Sequence, residues 1–248
     1  MIKLYVLIAI MEVFDRLMSS FGQDALDSLY WNTRFRPFHR RVALSVVVVL
    51  IYSIVHSLIL FVHIATLNVA MNSADQSLLT LLVSGNFAEI KTSVFKKFDR
   101  QNLFQLACSD VVERFKLTLF LLLVLLLNVC QDGSSEMFRE FAKVAAIVLF
   151  GEFLADWVKH SFITKFNRIK STVYDDYALV LAGDLTGIGH ENVNLDHHHA
   201  IVKRVGLAQI PLFVVMVRFC LEAAKVSVRE LAGFLPAKRP LLDSIWRE

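Results

Sequence analysis

The chain has 248 residues, of which 56% are hydrophobic, and it contains 20 phenylalanines but only 9 glycines and 4 prolines. This composition is more apolar than that of an average soluble domain, and it favours long helices that lie largely in lipid. The net charge is only +3 and no arginine-rich run is present, so nothing in the sequence indicates a nucleic-acid partner.

Residues 1–30 begin with an apolar run that is interrupted by Glu12, Asp15 and Arg16. This pattern predicts an amphipathic or partly inserted helix rather than a cleaved signal peptide. A basic and aromatic collar, "WNTRFRPFHRR", then precedes a long apolar stretch at 42–67. That stretch exceeds the roughly 20 residues that a bilayer requires, so it predicts a first membrane span with its basic start on the cytosolic side.

Further apolar segments predict additional spans at 113–130 and 141–161, a fourth span or half-span at 206–224, and a basic tail at 225–248. The whole chain, 1–248, is therefore predicted to be a single all-α domain, a polytopic transmembrane bundle with amphipathic or interfacial helices. The short loop at 131–140 is expected on the far side of the membrane from two basic segments, 91–100 and 163–170. The number of crossings within 42–90 stays open.

Four ionisable residues, Glu152, Asp156, Lys159 and His160, fall within or just after the predicted span at 141–161. At about 100° per residue they share one face of a helix. An isolated carboxylate in hydrocarbon is costly, which predicts that this face points into the bundle. Two interpretations remain: a polar seam that holds neighbouring helices together, with Asp156 paired to Lys159, or a coupled site for an ion or substrate.

Histidines provide the other candidate chemistry. His190 and the run Asp196–His199 could ligate zinc, but adjacent histidines point in different directions, and a solvated loop is the preferred interpretation. His56 and His63 lie seven residues apart in the first predicted span, where they could relay protons or bond neighbouring helices. Because no nucleophile–base arrangement is recognisable, the sequence predicts no enzyme, no catalytic residue, no cofactor and no metal site.

Two polar segments, 84–114 and 163–170, are predicted to be exposed loops that bind partners. The stretch "SVFKKF" alternates lysine with phenylalanine, which suits a membrane-interface or peptide-binding helix. The residues proposed for this partner surface are Lys91, Phe95, Lys96, Lys97, Phe98, Lys165, Phe166 and Asn167.

Four blocks carry a family resemblance: "IKLYVLIAIMEVFDRLMSSFGQDALDSLYW", "TLNVAMNSADQSLLTLLVSGNFAEIKTSVFKKF", "NLFQLACSDVVERF" and "DWVKHSFITKFN". Over most of residues 2–225 the chain resembles the eukaryotic transmembrane anterior-posterior transformation family, also called the cytomegalovirus gH-receptor-type family. The residues Glu152, Asp156, Lys159 and His160, together with the segment 164–167, match the motif of that family.

The resemblance implies a multi-pass membrane protein of the endoplasmic reticulum without established enzymatic activity. It further implies a scaffold or partner-binding role in protein folding and quality control, or in developmental and ciliary processes. Expected partners are membrane lipid and proteins of the endoplasmic reticulum membrane or lumen. Members usually carry further membrane segments before "IKLY", so the resemblance also implies a truncated or shortened member. The rival hypothesis is a transporter or channel that uses intramembrane groups at His56, His63, Glu152 and Asp156.

Overall fold

The computed structural model describes residues 2–35, 40–71, 85, 89–131, 134–186 and 205–234. Six long helices account for most of these residues: α1 (Ile2–Phe35), α2 (Arg40–Met71), α3 (Arg100–Gln131), α4 (Ser135–Asn167), α5 (Val173–Thr186) and α6 (Gln209–Phe234). A short helical segment, 89–94, precedes α3, and no strand occurs among the described residues. The prediction of an all-α fold is therefore confirmed.

The capping residues of α4 explain where this helix begins and ends. The hydroxyl of Ser134 accepts a hydrogen bond from the backbone N–H of Met137, which satisfies one of the first amides of the helix. At the other end Arg168 takes a left-handed conformation, with φ 55°, and its N–H donates to the carbonyl of Thr164.

The main apolar core lies where α2, α3, α4 and α6 meet. Leu60 and Ile64 of α2, Val124 of α3 and Phe219 of α6 are among its most buried members. Many other large apolar side chains of α2 face outward, including Leu44, Leu50, Ile51 and Ile54. An apolar helix whose outer face remains exposed is expected of a lipid-facing helix rather than of the core of a soluble protein.

Within the described residues, α2 is the one helix that is both long and apolar enough to cross a membrane, with a mean hydropathy of 2.6 in its best window. It contains the whole of the span predicted at 42–67. The stretches 113–130 and 141–161 lie in α3 and α4, and residues 209–224 of the fourth stretch lie in α6. That these three cross the membrane stays a prediction. The number of crossings within 42–90 stays open, because residues 72–84 and 86–88 lie outside the described residues. The tail from residue 235 onward also lies outside them.

A second, smaller core corrects the prediction of an exposed loop at 84–114. From Arg100 onward this region is the first part of α3, and Leu103, Phe104 and Cys108 are buried against Ile163 of α4 and Tyr177 of α5. Leu103 and Phe104 precede Cys108 by five and four residues, a spacing that places them on one side of the helix, and that apolar face drives the helix into the bundle.

α1 approaches α2 closely at Gly22. A β-carbon at this position would lie 2.1 Å from the Cζ and hydroxyl oxygen of Tyr52, whose side chain is itself buried. The absence of a side chain at Gly22 thus makes room for the Tyr52 ring.

We expect Gly22→Ala to lower the free energy of unfolding by about 1–3 kcal/mol, because the buried Tyr52 ring must be displaced. Ser20→Ala is the matched control, since Ser20 is exposed on the same helix. Denaturant unfolding of the purified proteins in detergent measures both. Equal stability of the two variants would contradict the close packing of α1 on α2.

Candidate functional site

The ammonium group of Lys159 lies at the centre of a buried ion-pair cluster between α3 and α4. Its Nζ atom is 2.9 Å from Oδ1 of Asp110, 3.0 Å from Oδ1 of Asp156 and 3.2 Å from Oε1 of Glu89. The side chains of Lys159 and Asp110 are each only 2% exposed. An ammonium group carries three N–H donors, so each of these three carboxylates can accept one hydrogen bond.

The cluster extends to α5 through His160. Nε2 of His160 is 2.8 Å from Oδ2 of Asp110, and its Nδ1 is 2.9 Å from the hydroxyl of Tyr174. A neutral imidazole with its proton on Nε2 satisfies both contacts, because it donates to the carboxylate and accepts from the phenol. Arg114 adds an ion pair with Oδ2 of Asp156. We call these seven residues, Glu89, Asp110, Arg114, Asp156, Lys159, His160 and Tyr174, the Lys159 cluster.

Two groups at the edge of this cluster, outside the predicted spans, have shifted pKa values. Burial, together with nearby Tyr177 and Asp110, raises the pKa of Tyr174 to about 12, so its hydroxyl remains protonated and can donate to His160. Burial alone would raise the pKa of Asp110. The hydrogen bonds from His160 and Lys159, together with their charges, outweigh burial and lower the pKa of Asp110 below its ordinary value.

A second, smaller cluster joins α1, α2 and α3. Nε2 of His56 is 2.8 Å from Oδ1 of Asp15, and its Nδ1 is 3.1 Å from the hydroxyl of Tyr52. Nζ of Lys116 donates to Oδ2 of Asp15 at 2.5 Å. We call these four residues the His56 cluster. Both clusters thus contain the same chain of contacts, from tyrosine to histidine to aspartate to lysine.

The residues of the predicted polar stripe are only partly brought together. Asp156, Lys159 and His160 all belong to the Lys159 cluster, and Asp156 is paired with Lys159. Glu152 lies one turn away, where it borders a cavity between the helices. His63 borders the same cavity, whereas His56 is fully buried and engaged by Asp15 and Tyr52.

Several partners in these clusters were missed by reasoning from the sequence. They are Asp15, Tyr52, Glu89, Asp110, Arg114, Lys116 and Tyr174. A signal was available for Asp110, because it follows Leu103 by seven residues and so falls near the apolar face of an amphipathic helix. A carboxylate at such a position requires a buried partner.

The predicted partner surface combines two segments that are far apart in the chain. The backbone N–H of Phe98 donates to Oδ1 of Asn167 at 3.0 Å, and this bond holds the segment 95–98 against the end of α4. Phe95 is 82% exposed and Phe166 is 60% exposed. The ring of Phe166 also stacks on that of Phe162, with centroids 5.9 Å apart. Three exposed lysines belong to the same two segments, Lys96, Lys97 and Lys165, and a fourth, Lys91, lies four residues before Phe95.

One set of acidic side chains has the spacing of a metal site. Carboxylate oxygens of Glu89, Asp110 and Glu113 lie within 4.8 Å of one another. Two of these three residues already bind the ammonium of Lys159, whose positive charge offsets part of theirs. His190 and the run Asp196–His199 lie outside the described residues.

Several curated relatives align with nearly the whole chain. The chain is 41% identical over 239 residues to "Protein TAPT1 homolog" of Drosophila melanogaster, an alignment that covers 94% of the chain and 35% of the relative. It is 42% identical to the Xenopus laevis "Transmembrane anterior posterior transformation protein 1 homolog", with 91% of the chain and 42% of the relative covered. The human protein of the same name is 41% identical, with 91% and 41% covered.

The chain therefore spans less than half the length of these relatives. No solved structure matches the chain. The profile of the eukaryotic membrane protein family, DUF747, matches residues 1–239. With this match and relatives at about 41% identity over nine-tenths of its length, the chain belongs to the eukaryotic membrane protein family that includes the transmembrane anterior posterior transformation proteins.

Proposed function

We propose that this protein is a multi-pass scaffold of the endoplasmic reticulum membrane that binds protein partners and catalyses no reaction. Its role would lie in protein folding and quality control, or in the developmental process for which its relatives are named. The observation that carries this proposal is the joining of the segments 95–98 and 165–167 into one exposed surface of phenylalanines and lysines. The Lys159 cluster supports that surface, because it ties α4 to α3 six residues before Lys165.

The absence of catalysis is inferred from how the histidines are used. Both ring nitrogens of His56 and of His160 contact protein side chains. Neither imidazole is among the side chains that line the cavity between the helices, whereas a general acid or base must lie within hydrogen-bond reach of the proton that it transfers. The arrangement therefore supports a stabilising role for both clusters.

The transporter or channel hypothesis has one observation in its favour. His63 and Glu152 border a common cavity, as a conduit requires. The other two groups of that hypothesis are instead engaged within the two clusters, because His56 is hydrogen-bonded to Asp15 and Tyr52 and Asp156 is ion-paired with Arg114 and Lys159. A conduit requires all four ionisable groups to face one cavity. Because only two of them do so, we prefer the scaffold hypothesis.

Site-specific photocrosslinking tests the partner surface. A benzoylphenylalanine is placed at Phe95 or at Phe166, and the variants are irradiated in intact endoplasmic reticulum membranes. Because the two positions belong to one surface, we expect both to crosslink to the same proteins. Phe138 is the matched control, since it is 52% exposed but lies near the opposite end of α4. Adducts with lipid alone at Phe95 and Phe166, or the same proteins at Phe138, would contradict the proposal.

The proposed topology is tested by glycosylation. The chain contains no N-x-Ser/Thr sequon, so an engineered one has no background. We expect a sequon introduced at 134–140, before or within the start of α4, to be glycosylated in microsomes, because this acidic segment is predicted to be lumenal. Modification of a sequon at 91–97, and not of the one at 134–140, would reverse the orientation.

A further inference from the structure

A cavity of about 370 Å³ lies among α1, α2, α3 and α4, beside the two ion-pair clusters. Its size falls within the range of sites that bind small molecules. Five carboxylates border it: Glu12, Asp15, Glu89, Glu113 and Glu152. The basic side chains on its wall are Arg16 and Lys116.

Glu152 interacts with a further group and is left out of the charge balance. The other four carboxylates against two cations leave the cavity wall with a formal excess of two negative charges. The neighbouring charged groups in the described part of the chain do not cancel this excess. Behind the wall, Lys159 and Arg114 are balanced by Asp110 and Asp156, with which they are paired. On the wall itself, Arg16 is paired with Glu113 at 3.0 Å and Lys116 with Asp15 at 2.5 Å. A cavity between apolar helices strengthens such a field, because the surrounding dielectric constant is low.

The remainder of the wall is apolar. Ile8, Val13 and Leu67 contribute aliphatic surface, and Phe120 contributes an aromatic ring. On the same wall, Nδ1 of His63 is buried and has no hydrogen-bond partner among the described residues. A polar atom left in this state costs free energy unless something that enters the cavity satisfies it.

We propose that this cavity is a binding site for an organic cation, meaning an ammonium group attached to an apolar body. The carboxylates would attract the ammonium group, and the apolar body would pack against the aliphatic and aromatic side chains of the wall. An ammonium near the Phe120 ring would also gain a cation–π contact. A bare divalent metal fits less well, because Lys159 already binds Glu89 and Asp110 and because half of the wall offers no oxygen ligand.

Thiol reagents of opposite charge test the site in the purified full chain. Ala9 borders the cavity and is half-buried, so Ala9→Cys introduces a thiol with little change in volume. The reagents are the trimethylammonium-ethyl and sulfonato-ethyl methanethiosulfonates, and modification is followed by mass spectrometry on the peptide that carries residue 9. Because the mass spectrum reports modification of one peptide at a time, the three native cysteines do not have to be replaced. Ser171→Cys, at an exposed position between α4 and α5, is the control.

We expect the ratio of cationic to anionic reaction rates at Ala9→Cys to exceed the ratio at Ser171→Cys about tenfold, as charge focusing in a cleft allows. Glu12→Gln should reduce this preference, whereas Glu136→Gln, exposed and remote from the cavity, should leave it unchanged. Phenyltrimethylammonium, a cation with an apolar body, should slow the reaction at Ala9→Cys in a saturable manner and leave Ser171→Cys unaffected.

Three results would overturn the inference: no modification of Ala9→Cys, equal rate ratios at the two positions, or no protection by phenyltrimethylammonium at millimolar concentration. If Ala9→Cys fails to fold, as judged by its elution from a sizing column, Leu117→Cys on the facing wall is measured in the same way. The outcome is independent of the scaffold proposal, which is tested separately by protein crosslinks at Phe95 and Phe166.

Discussion

Lys159→Ala is expected to lower the free energy of unfolding by about 3–5 kcal/mol, the usual cost of leaving buried charges uncompensated. The cost is large because one ammonium serves three carboxylates, those of Glu89, Asp110 and Asp156. Asp156→Ala should cost less, since Lys159 then retains Asp110 and Glu89. Unfolding by denaturant in detergent measures both variants. Lys165→Ala, at an exposed position of the same helix, should change stability by no more than about 0.5 kcal/mol.

The double variant Asp156→Ala/Lys159→Ala separates pairing from independent effects. Two groups 3.0 Å apart share one interaction, so removing both should cost less than the two single losses added together. Strict additivity would show that the two residues act independently. Unchanged stability of either single variant, combined with loss of ion flux in reconstituted vesicles, would instead favour the transporter hypothesis.

Asp15→Ala is expected to weaken the attachment of α1 to the rest of the bundle, again by about 3–5 kcal/mol. Its carboxylate, which is 10% exposed, is shared by His56 of α2 and Lys116 of α3, so the substitution leaves a buried ammonium without its counter-charge. Because α1 packs mainly along α2, the effect should appear first as local release of α1. Limited proteolysis within residues 6–35 measures the local release of α1, and loss of helicity over the whole chain measures global unfolding. We expect the first to appear before the second.

A control and a rescue make this second prediction specific. Asp24→Ala removes an exposed carboxylate from the same helix and should leave proteolysis unchanged. The double variant Asp15→Ala/Lys116→Met should recover part of the loss, because it removes the unpaired ammonium and restores apolar volume. If Asp15→Ala leaves α1 as protected as in the original protein, the His56 cluster does not hold α1 in place.

Much of the helical framework could be predicted from the sequence, because it depends on local order along the chain. The apolar stretch 42–67 lies wholly within α2, and the stretches 113–130 and 141–161 lie within α3 and α4, whereas the stretch 206–224 begins three residues before α6. The period of an α-helix was sufficient to place Asp156, Lys159 and His160 on a common inward face. Where local pattern was misjudged, at 100–114, the error was to weigh overall polarity above the spacing of Leu103, Phe104 and Cys108.

The partners of the charged groups were decided only by the tertiary structure. Asp15 meets His56 across 41 residues and Lys116 across 101, and His160 meets Asp110 across 50. Periodicity shows which face of a helix must be buried. It contains no information on which helix will cover that face, or at which position along the helix axis the two will make contact. That choice follows from how all the apolar faces pack together, since the charged groups must then find counter-charges among whatever the neighbouring helices present.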